Sequence, residues 1–280
     1  MSFKKKVERA IMLLKKKNLV PIPEVVNDTD LLEGKVAMVI GGTGGIGRAI
    51  TTELIHNNCK VISCGSSVES LRKMQSVLPE SEKLKYFPFN LMNTKEYSQK
   101  IQSAVEIFGK IDILILSAGV HSEKFNYYDM TEEEYERIMQ INLKAPFFLC
   151  QSFANYLINA KRTGHICLVS SSRGAEPAYT PYGISKWALN GLTKGIAQEL
   201  IKYGIVVNAV APGSTATPLI GITSKDSIAT DENSCGRLVH PNEVANIVKL
   251  LVSDTGNMIV GETVHISGGR GILILGKVGG

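Results

Sequence analysis

Tyr182 and Lys186 are the two side chains in this sequence best suited to moving a proton together. They stand four residues apart in Tyr182-Gly183-Ile184-Ser185-Lys186, at the start of a long apolar-periodic run. On a helix, positions four apart share a face, so a phenol and an ammonium can enter one cleft. A free tyrosine titrates at about pH 10, too high for easy proton exchange at neutrality. A lysine charge about 5 Å away, at an effective dielectric of about 20, favours the phenolate by about 3 kcal/mol, or about two pKa units. The hydroxyl then approaches the range useful for general acid–base chemistry. The same spacing also occurs in ordinary helices, with a packed tyrosine and a solvated lysine. The rest of the chain decides between the two readings.

Four stretches can complete a site around that pair. The apolar run 165–169 reads as a buried strand that delivers Ser170-Ser171-Ser172-Arg173-Gly174 to the carboxyl end of a sheet, where ligands sit in such folds. Eleven residues separate Ser171 from Tyr182, and the connection bends through Pro177 and Pro181. One serine hydroxyl can therefore reach the phenol. The run 36–40 leads into Gly41-Gly42-Thr43-Gly44-Gly45-Ile46-Gly47, then a helical pattern through Ile50, Leu54 and Ile55. Glycines between strand and helix let backbone N–H groups approach a pyrophosphate at the helix N-terminus. The spacing is G-x-x-x-G-x-G, not G-x-G-x-x-G, and a tight turn without a ligand is the alternative. The run 111–116 ends in Ser117-Ala118-Gly119, small enough for a cofactor ring to lie against the backbone. The run 61–64 ends in Gly65, Ser66 and Ser67, with Arg72 and Lys73 beyond. A carboxylate there would bind a ribose 2′-hydroxyl and repel a 2′-phosphate. None is present, which leans toward NADP(H) and leaves NAD(H) open.

Strand-like and helix-like runs alternate through the body of the chain. The segment 84–89 reads as a strand ending at Asn90, 94–108 as a helix, and 131–160 as one long helix. Asn142 lies inside that helix as a surface residue, a kink or the anchor of a buried water, and Pro146 predicts a distortion just beyond it. The alternation predicts an α/β protein: one doubly wound, Rossmann-type parallel sheet with helices on both faces. Residues 1–34 are set apart as a basic arm and linker, and 35–280 form a single domain.

At 280 residues the chain can bury a full core, and it has no apolar run long enough to span a membrane. Its charge of +5 is uneven. Lys4, Lys5, Lys6, Arg9, Lys15, Lys16 and Lys17 face Glu8 alone, so residues 1–17 carry +6 and the remainder −1. A near-neutral body argues against nucleic-acid binding. The arm reads as an amphipathic helix over 3–17, with Val7, Ile11 and Leu14 at helical spacing. The stretch 18–34, with Pro21 and Pro23, reads as an extended connector. Packing on its own subunit or a neighbour is favoured over membrane-surface contact. Five cysteines without a C-x-x-C read as buried reduced thiols of a cytoplasmic protein. Helices at 143–160 and 182–203 are apolar enough to pack between copies, predicting a homodimer or homotetramer.

From about residue 35 to 269 the chain resembles the short-chain dehydrogenase/reductases of classical type. The matches are Gly41-x3-Gly45-Ile46-Gly47, Ser117-Ala118-Gly119, Asn142, Ser171-x2-Gly174, Tyr182-x3-Lys186, Pro212-Gly213 with Thr217, Gly236-Arg237, Asn242-Glu243-Val244-Ala245 and Gly268-Gly269. Each is weak alone; their order is specific. The resemblance implies that Tyr182 is the acid in carbonyl reduction and the base in alcohol oxidation. It implies that Lys186 holds the nicotinamide ribose and lowers the phenol's pKa. Ser171 would hydrogen-bond the substrate oxygen, and Asn142 would hold a water in a proton relay through Lys186. Gly41, Thr43, Gly44, Gly45, Ile46, Gly47, Ser66, Asn90, Leu91, Ser117, Ala118 and Gly119 would line the cofactor, with Pro212, Gly213 and Thr217 at its carboxamide. Hydride comes from the cofactor, so no metal is required. Four positions depart from the pattern: Ile40 stands where threonine is common, Leu116-Ser117 replaces Asn-Asn, and Asn90 replaces an aspartate.

The resemblance is nearest to the 3-oxoacyl-[acyl-carrier-protein] reductase-like group, which implies a small carbonyl or alcohol substrate, including a carrier-bound acyl chain. A sugar, polyol or other small-alcohol dehydrogenase is the alternative. A cofactor-sensing regulator or scaffold is the alternative of another class. Ser171, Glu176, Tyr179 and Tyr182, with His121, are expected at the substrate. The segment 214–235 is expected to form a lid, and 272–275 to seal a subunit contact.

Overall fold

The computed structural model describes residues 30–121, 126–217, 219, 221, 226–233 and 235–272. Strands β1 (Val36–Ile40), β4 (Ile113–Leu116), β5 (Gly164–Val169) and β6 (Ile205–Pro212) are buried along their whole length. Near-continuous Val, Ile and Leu leave such strands no face for water. With β2 (Lys60–Gly65), β3 (Leu84–Pro88) and β7 (Thr263–Ile266) they form one sheet in the order β3-β2-β1-β4-β5-β6-β7. Every neighbouring pair is parallel. Helices cover both faces. Met38, Leu114, Phe153 and Leu189 pack in the core under α3 (Tyr97–Phe108), α5 (Ala145–Asn159) and α6 (Pro181–Leu200). Ala37, Ile50, Leu54 and Val248 pack in the other, under α1 (Gly45–His56) and α7 (Pro241–Val252). The doubly wound reading of the sequence holds.

Register is what builds the site. Ile40 pairs with Leu116, Leu116 with Leu168, and Val169 with Val210. β1, β4 and β5 therefore end within one residue of each other, β6 runs three residues further than β1 and β4, and the loops that follow them lie side by side on one edge. The strand order reverses between β1 and β4, where a crevice opens in such sheets. At the opposite end, the Asp112 carboxylate accepts the Val36 N–H at 2.9 Å and pairs with Lys110 at 2.9 Å and Arg162 at 2.5 Å.

Several expectations need correction. The helix expected over 131–160 is two helices, α4 (Glu132–Met139) and α5, joined by a π-helical turn, Gln140–Lys144. The distortion falls on Asn142 itself. Pro146 follows that turn within a continuous helical backbone, and its missing N–H leaves a carbonyl of the turn without its usual donor. The helix expected from 94 begins with a 3₁₀ turn, Thr94–Glu96, and the strand expected from 111 begins at Ile113. The end of the expected connector is folded: Leu32 is fully buried, and its N–H donates to the Asn57 carbonyl at 3.2 Å. The arm helix over 3–17, most of the connector and residues 273–275 lie outside the described residues. Among the described residues no helix is long and apolar enough to cross a membrane. All five cysteines are free, four of them buried and Cys235 exposed.

Candidate active site

Two cavities, of about 560 and 330 Å³, open along the carboxyl edge and share Ile46, Ser117, Gly119, Thr217 and Leu219 as walls. The smaller is built on the glycine turn. Gly41 has φ of +81°, and a Cβ there would lie 2.6 Å from the Ala118 nitrogen. A Cβ on Gly47 would lie 2.1 Å from the Gly41 carbonyl oxygen. Only glycine lets the turn fold back this tightly. Helix α1 starts behind it with no side-chain cap and no acidic residue in its first turn, leaving its N-terminal dipole to a ligand. Gly41, Thr43, Gly44, Gly45, Ile46, Gly47, Ser66, Asn90, Leu91, Ser117, Ala118, Gly119 and Thr217 all line this cavity. Among the described residues the buried Ser117 hydroxyl has no hydrogen-bond partner. A glycine cradle, an open helix N-terminus and an unsatisfied hydroxyl fit a dinucleotide.

The larger cavity holds Ser171, Tyr179, Tyr182, Lys186, Pro212, Gly213 and Thr217. Thr180 caps α6 by accepting the Gly183 N–H, and Pro181 opens the helix. That places Tyr182 and Lys186 on one turn at the cavity wall. Among the three serines, Ser171 is the one whose side chain acts on the phenol, lowering its pKa against burial, and its hydroxyl accepts the Arg173 N–H at 3.2 Å, whereas Ser170 donates to Asn190 at 2.6 Å. Lys186 is 4% exposed, and its Nζ donates to the Val169 carbonyl at 2.9 Å. Burial pulls its pKa down to about 8.

The expected effect of Lys186 on Tyr182 is reversed by burial. Desolvation raises the phenol's pKa above the ordinary tyrosine value. The Ser171 side chain and the Arg173 charge oppose that rise without overcoming it. Lys186 points past the ring, 5.6 Å from its centroid, toward Val169. In the free protein Tyr182 is a protonated acid, not a phenolate.

Asn142 and Glu176 lie behind the wall. The Asn142 carboxamide accepts the Val120 N–H and donates to the Val120 carbonyl, both at 2.9 Å, and reaches Ser185 at 3.3 Å. The side chain expected to hold a water thus clamps the loop after β4. The π turn aims it there. Glu176, expected at the substrate, is instead committed to Arg173 and Arg270, each at 2.8 Å. Arg270 also reaches Ser214 at 3.4 Å and pairs with Glu232. It thereby ties together three segments around the larger cavity. Arg173 and Arg270 line that cavity, and sequence spacing singled out neither. The only signal for Arg270 was its place beside Gly268-Gly269. His121 also lines the cavity, as expected, with its ring stacked on Tyr182.

Comparison with known proteins agrees with this geometry. A 3α-hydroxysteroid dehydrogenase of Mediterraneibacter gnavus is 34% identical over 249 residues, covering 85% of this chain and 97% of the relative. The 3-oxoacyl-[acyl-carrier-protein] reductase FabG of Rickettsia felis is 35% identical over 243 residues, covering 85% and 97%. An acetoacetyl-CoA reductase of an Acinetobacter species is 33% identical over 244 residues, covering 85% and 98%. Among solved structures, an NADPH-bound ElxO variant superposes with a TM-score of 0.76 at 25% identity, over 84% of this chain and 98% of that one. The family model described as short chain dehydrogenase matches residues 35–227. That match spans the glycine turn, the serine loop and the Tyr182–Lys186 helix. The chain belongs to the short-chain dehydrogenase family and is an NAD(P)-dependent oxidoreductase.

Proposed function

We propose that this enzyme reduces the ketone of a 3-oxoacyl thioester or a similar small β-dicarbonyl, with NADP(H) as cofactor. The observation that carries the reading is the Tyr182 phenol. It lines the larger cavity together with Ser171, is kept protonated by burial, and faces a cavity that shares walls with the glycine-turn cavity. The relatives named for 3-oxoacyl and acetoacetyl-CoA reduction support the substrate class. A nicotinamide held by these residues would supply the hydride for the carbonyl carbon. Tyr182 then gives its proton to the carbonyl oxygen as charge develops there, and Ser171 donates a hydrogen bond to the same oxygen. Lys186 would hold the nicotinamide ribose, and its charge would offset the phenolate left behind. Asn142 acts at one remove, by fixing Val120 beside the ring site.

NADP(H) is supported by the end of β2, where Gly65 and Ser66 face the cofactor cavity and no carboxylate among the described residues lines it. The Ser67 hydroxyl is occupied in capping α2 (Val68–Val77). Assembly into dimers or tetramers is supported by Phe147 on α5 and Ile184 and Trp187 on α6, large apolar side chains left exposed on the helices expected to pair. Buried free thiols support a reducing, cytoplasmic location. Residues 35–280 are read as one catalytic domain, with 1–34 as an appended arm.

The test is consumption of NADPH or NADH, followed by near-ultraviolet absorbance, with acetoacetyl-CoA, a sugar and a simple ketone. Turnover of acetoacetyl-CoA with NADPH, lost in Tyr182→Phe while NADPH still binds, is the expected result. Retained turnover in Tyr182→Phe would reject the assignment of the acid. Turnover of the sugar alone would reject the substrate class.

A further inference from the structure

The His121 and Tyr182 rings lie nearly parallel, at 24°, with centroids 4.1 Å apart. That is stacking distance for aromatic planes. The two residues come from different elements. His121 follows the loop after β4, which Asn142 clamps through Val120, and its own carbonyl accepts a hydrogen bond from Arg137 of α4 at 3.0 Å. The imidazole is therefore held from the backbone, not by its own polar atoms. Among the described residues neither of its nitrogens has a hydrogen-bond partner, yet the ring lines the larger cavity. The charged groups that face it are Lys186 from α6 and Arg173 from the serine loop, and with burial they hold its pKa below the ordinary histidine value. A neutral imidazole keeps one donor and one acceptor for a ligand.

We propose that His121 positions the Tyr182 phenol by stacking and presents a ring nitrogen to a second substrate oxygen, one or two carbons from the reacting carbonyl. The inference rests on the carbonyl-reductase reading of the site and narrows it. Substrates with two nearby oxygens, such as 3-oxoacyl compounds, gain a contact that a plain ketone cannot make. The stack fixes the face of the phenol away from which the substrate must lie. The nitrogen fixes the substrate's direction in the cavity. A site built to hydrogen-bond a substrate oxygen discriminates against analogues lacking it, because its polar group is then buried unpaired.

Two variants separate the two roles. His121→Phe keeps a stacking ring and removes both nitrogens; His121→Ala removes the ring. Kinetics with NADPH are compared for ethyl acetoacetate and a plain ketone of similar size. For His121→Phe, kcat/KM is expected to fall about tenfold more for the dicarbonyl than for the ketone, mostly through KM, as for one neutral hydrogen bond. For His121→Ala, kcat is expected to fall for both substrates. Equal effects of His121→Phe on both substrates would overturn the polar role. An unchanged kcat in His121→Ala would overturn the stacking role. Spectra of protein labelled with ¹³Cζ-tyrosine, with Tyr182 assigned from Tyr182→Phe, report on the stack without any turnover. The Tyr182 resonance and its titration should move in His121→Ala, and an unmoved resonance counts against the stack. If no carbonyl compound reacts with the wild-type enzyme, the functional reading and the second-oxygen contact fail together. The spectra still judge the stack.

Discussion

Replacing Lys186 by methionine should make the protein more stable while it destroys catalysis. The ammonium is fully enclosed, and its folded pKa of about 8 lies below the ordinary value of 10.5. At about 1.4 kcal/mol per unit, that difference means the buried charge costs the folded state about 3 kcal/mol at neutral pH. Methionine fills nearly the same volume without a charge. It forfeits the hydrogen bond to the Val169 carbonyl, worth about 1 to 1.5 kcal/mol net. The balance is a stabilisation of about 2 kcal/mol, or a Tm rise of about 3 °C for a chain of this size. The pH dependence gives the decisive signature. Below about pH 8, Lys186 is protonated in both folded and unfolded states, so its contribution is flat. Between about pH 8 and 10.5 the unfolded chain binds the extra proton, so wild-type stability from this group rises with pH. The advantage of Lys186→Met should therefore shrink across that window. Urea unfolding of both proteins at equal concentration, near pH 7 and near pH 10, measures the gap. A variant that is less stable at neutral pH, with a gap independent of pH, would refute the reasoning.

Other consequences follow from particular contacts. Gly41→Ala must adopt a left-handed backbone and meet the Ala118 nitrogen at 2.6 Å, so it should lose at least about 2 kcal/mol of stability and more than tenfold in NADPH affinity, read by fluorescence quenching. Asp112→Ala should cost about 3 kcal/mol in urea unfolding by orphaning the Val36 N–H and Arg162. Burial pushes the Asp112 pKa up, but Lys110, Arg162 and the Val36 N–H together hold it below the ordinary value. Its stabilisation is therefore present above the unfolded carboxylate pKa and disappears as pH falls through the folded one, so the gap to wild type should close in acid. Arg270→Met releases Glu176, Ser214 and Glu232 from one another, and steady-state kinetics should show a rise in KM larger than any fall in kcat, with NADPH affinity unchanged.

The parts of the site legible in the sequence are those that local chain geometry dictates. Tyr182 and Lys186 share a helix face because of their spacing, and any helix there would align them. Gly41 and Gly47 mark a turn that no other residue can make. Alternating apolar runs set the parallel sheet, and the sheet set where its loops emerge. Other features depend on distances between segments far apart in sequence. Asn142 turned inward because a π turn shifted its phase, which apolar spacing cannot signal. Glu176 was lost to the substrate because Arg270, 94 residues away, took its carboxylate.

The sequence by itself determined which side chains are available for proton transfer and which turn cradles a dinucleotide, since both follow from short-range spacing and backbone sterics. Only the tertiary structure decided the ionisation of Tyr182. The lysine's charge argues for a phenolate, whereas enclosure by the sheet edge, the serine loop and His121 argues for a neutral phenol. Desolvation wins because it grows with the number of walls around the ring, and those walls are brought together only by folding.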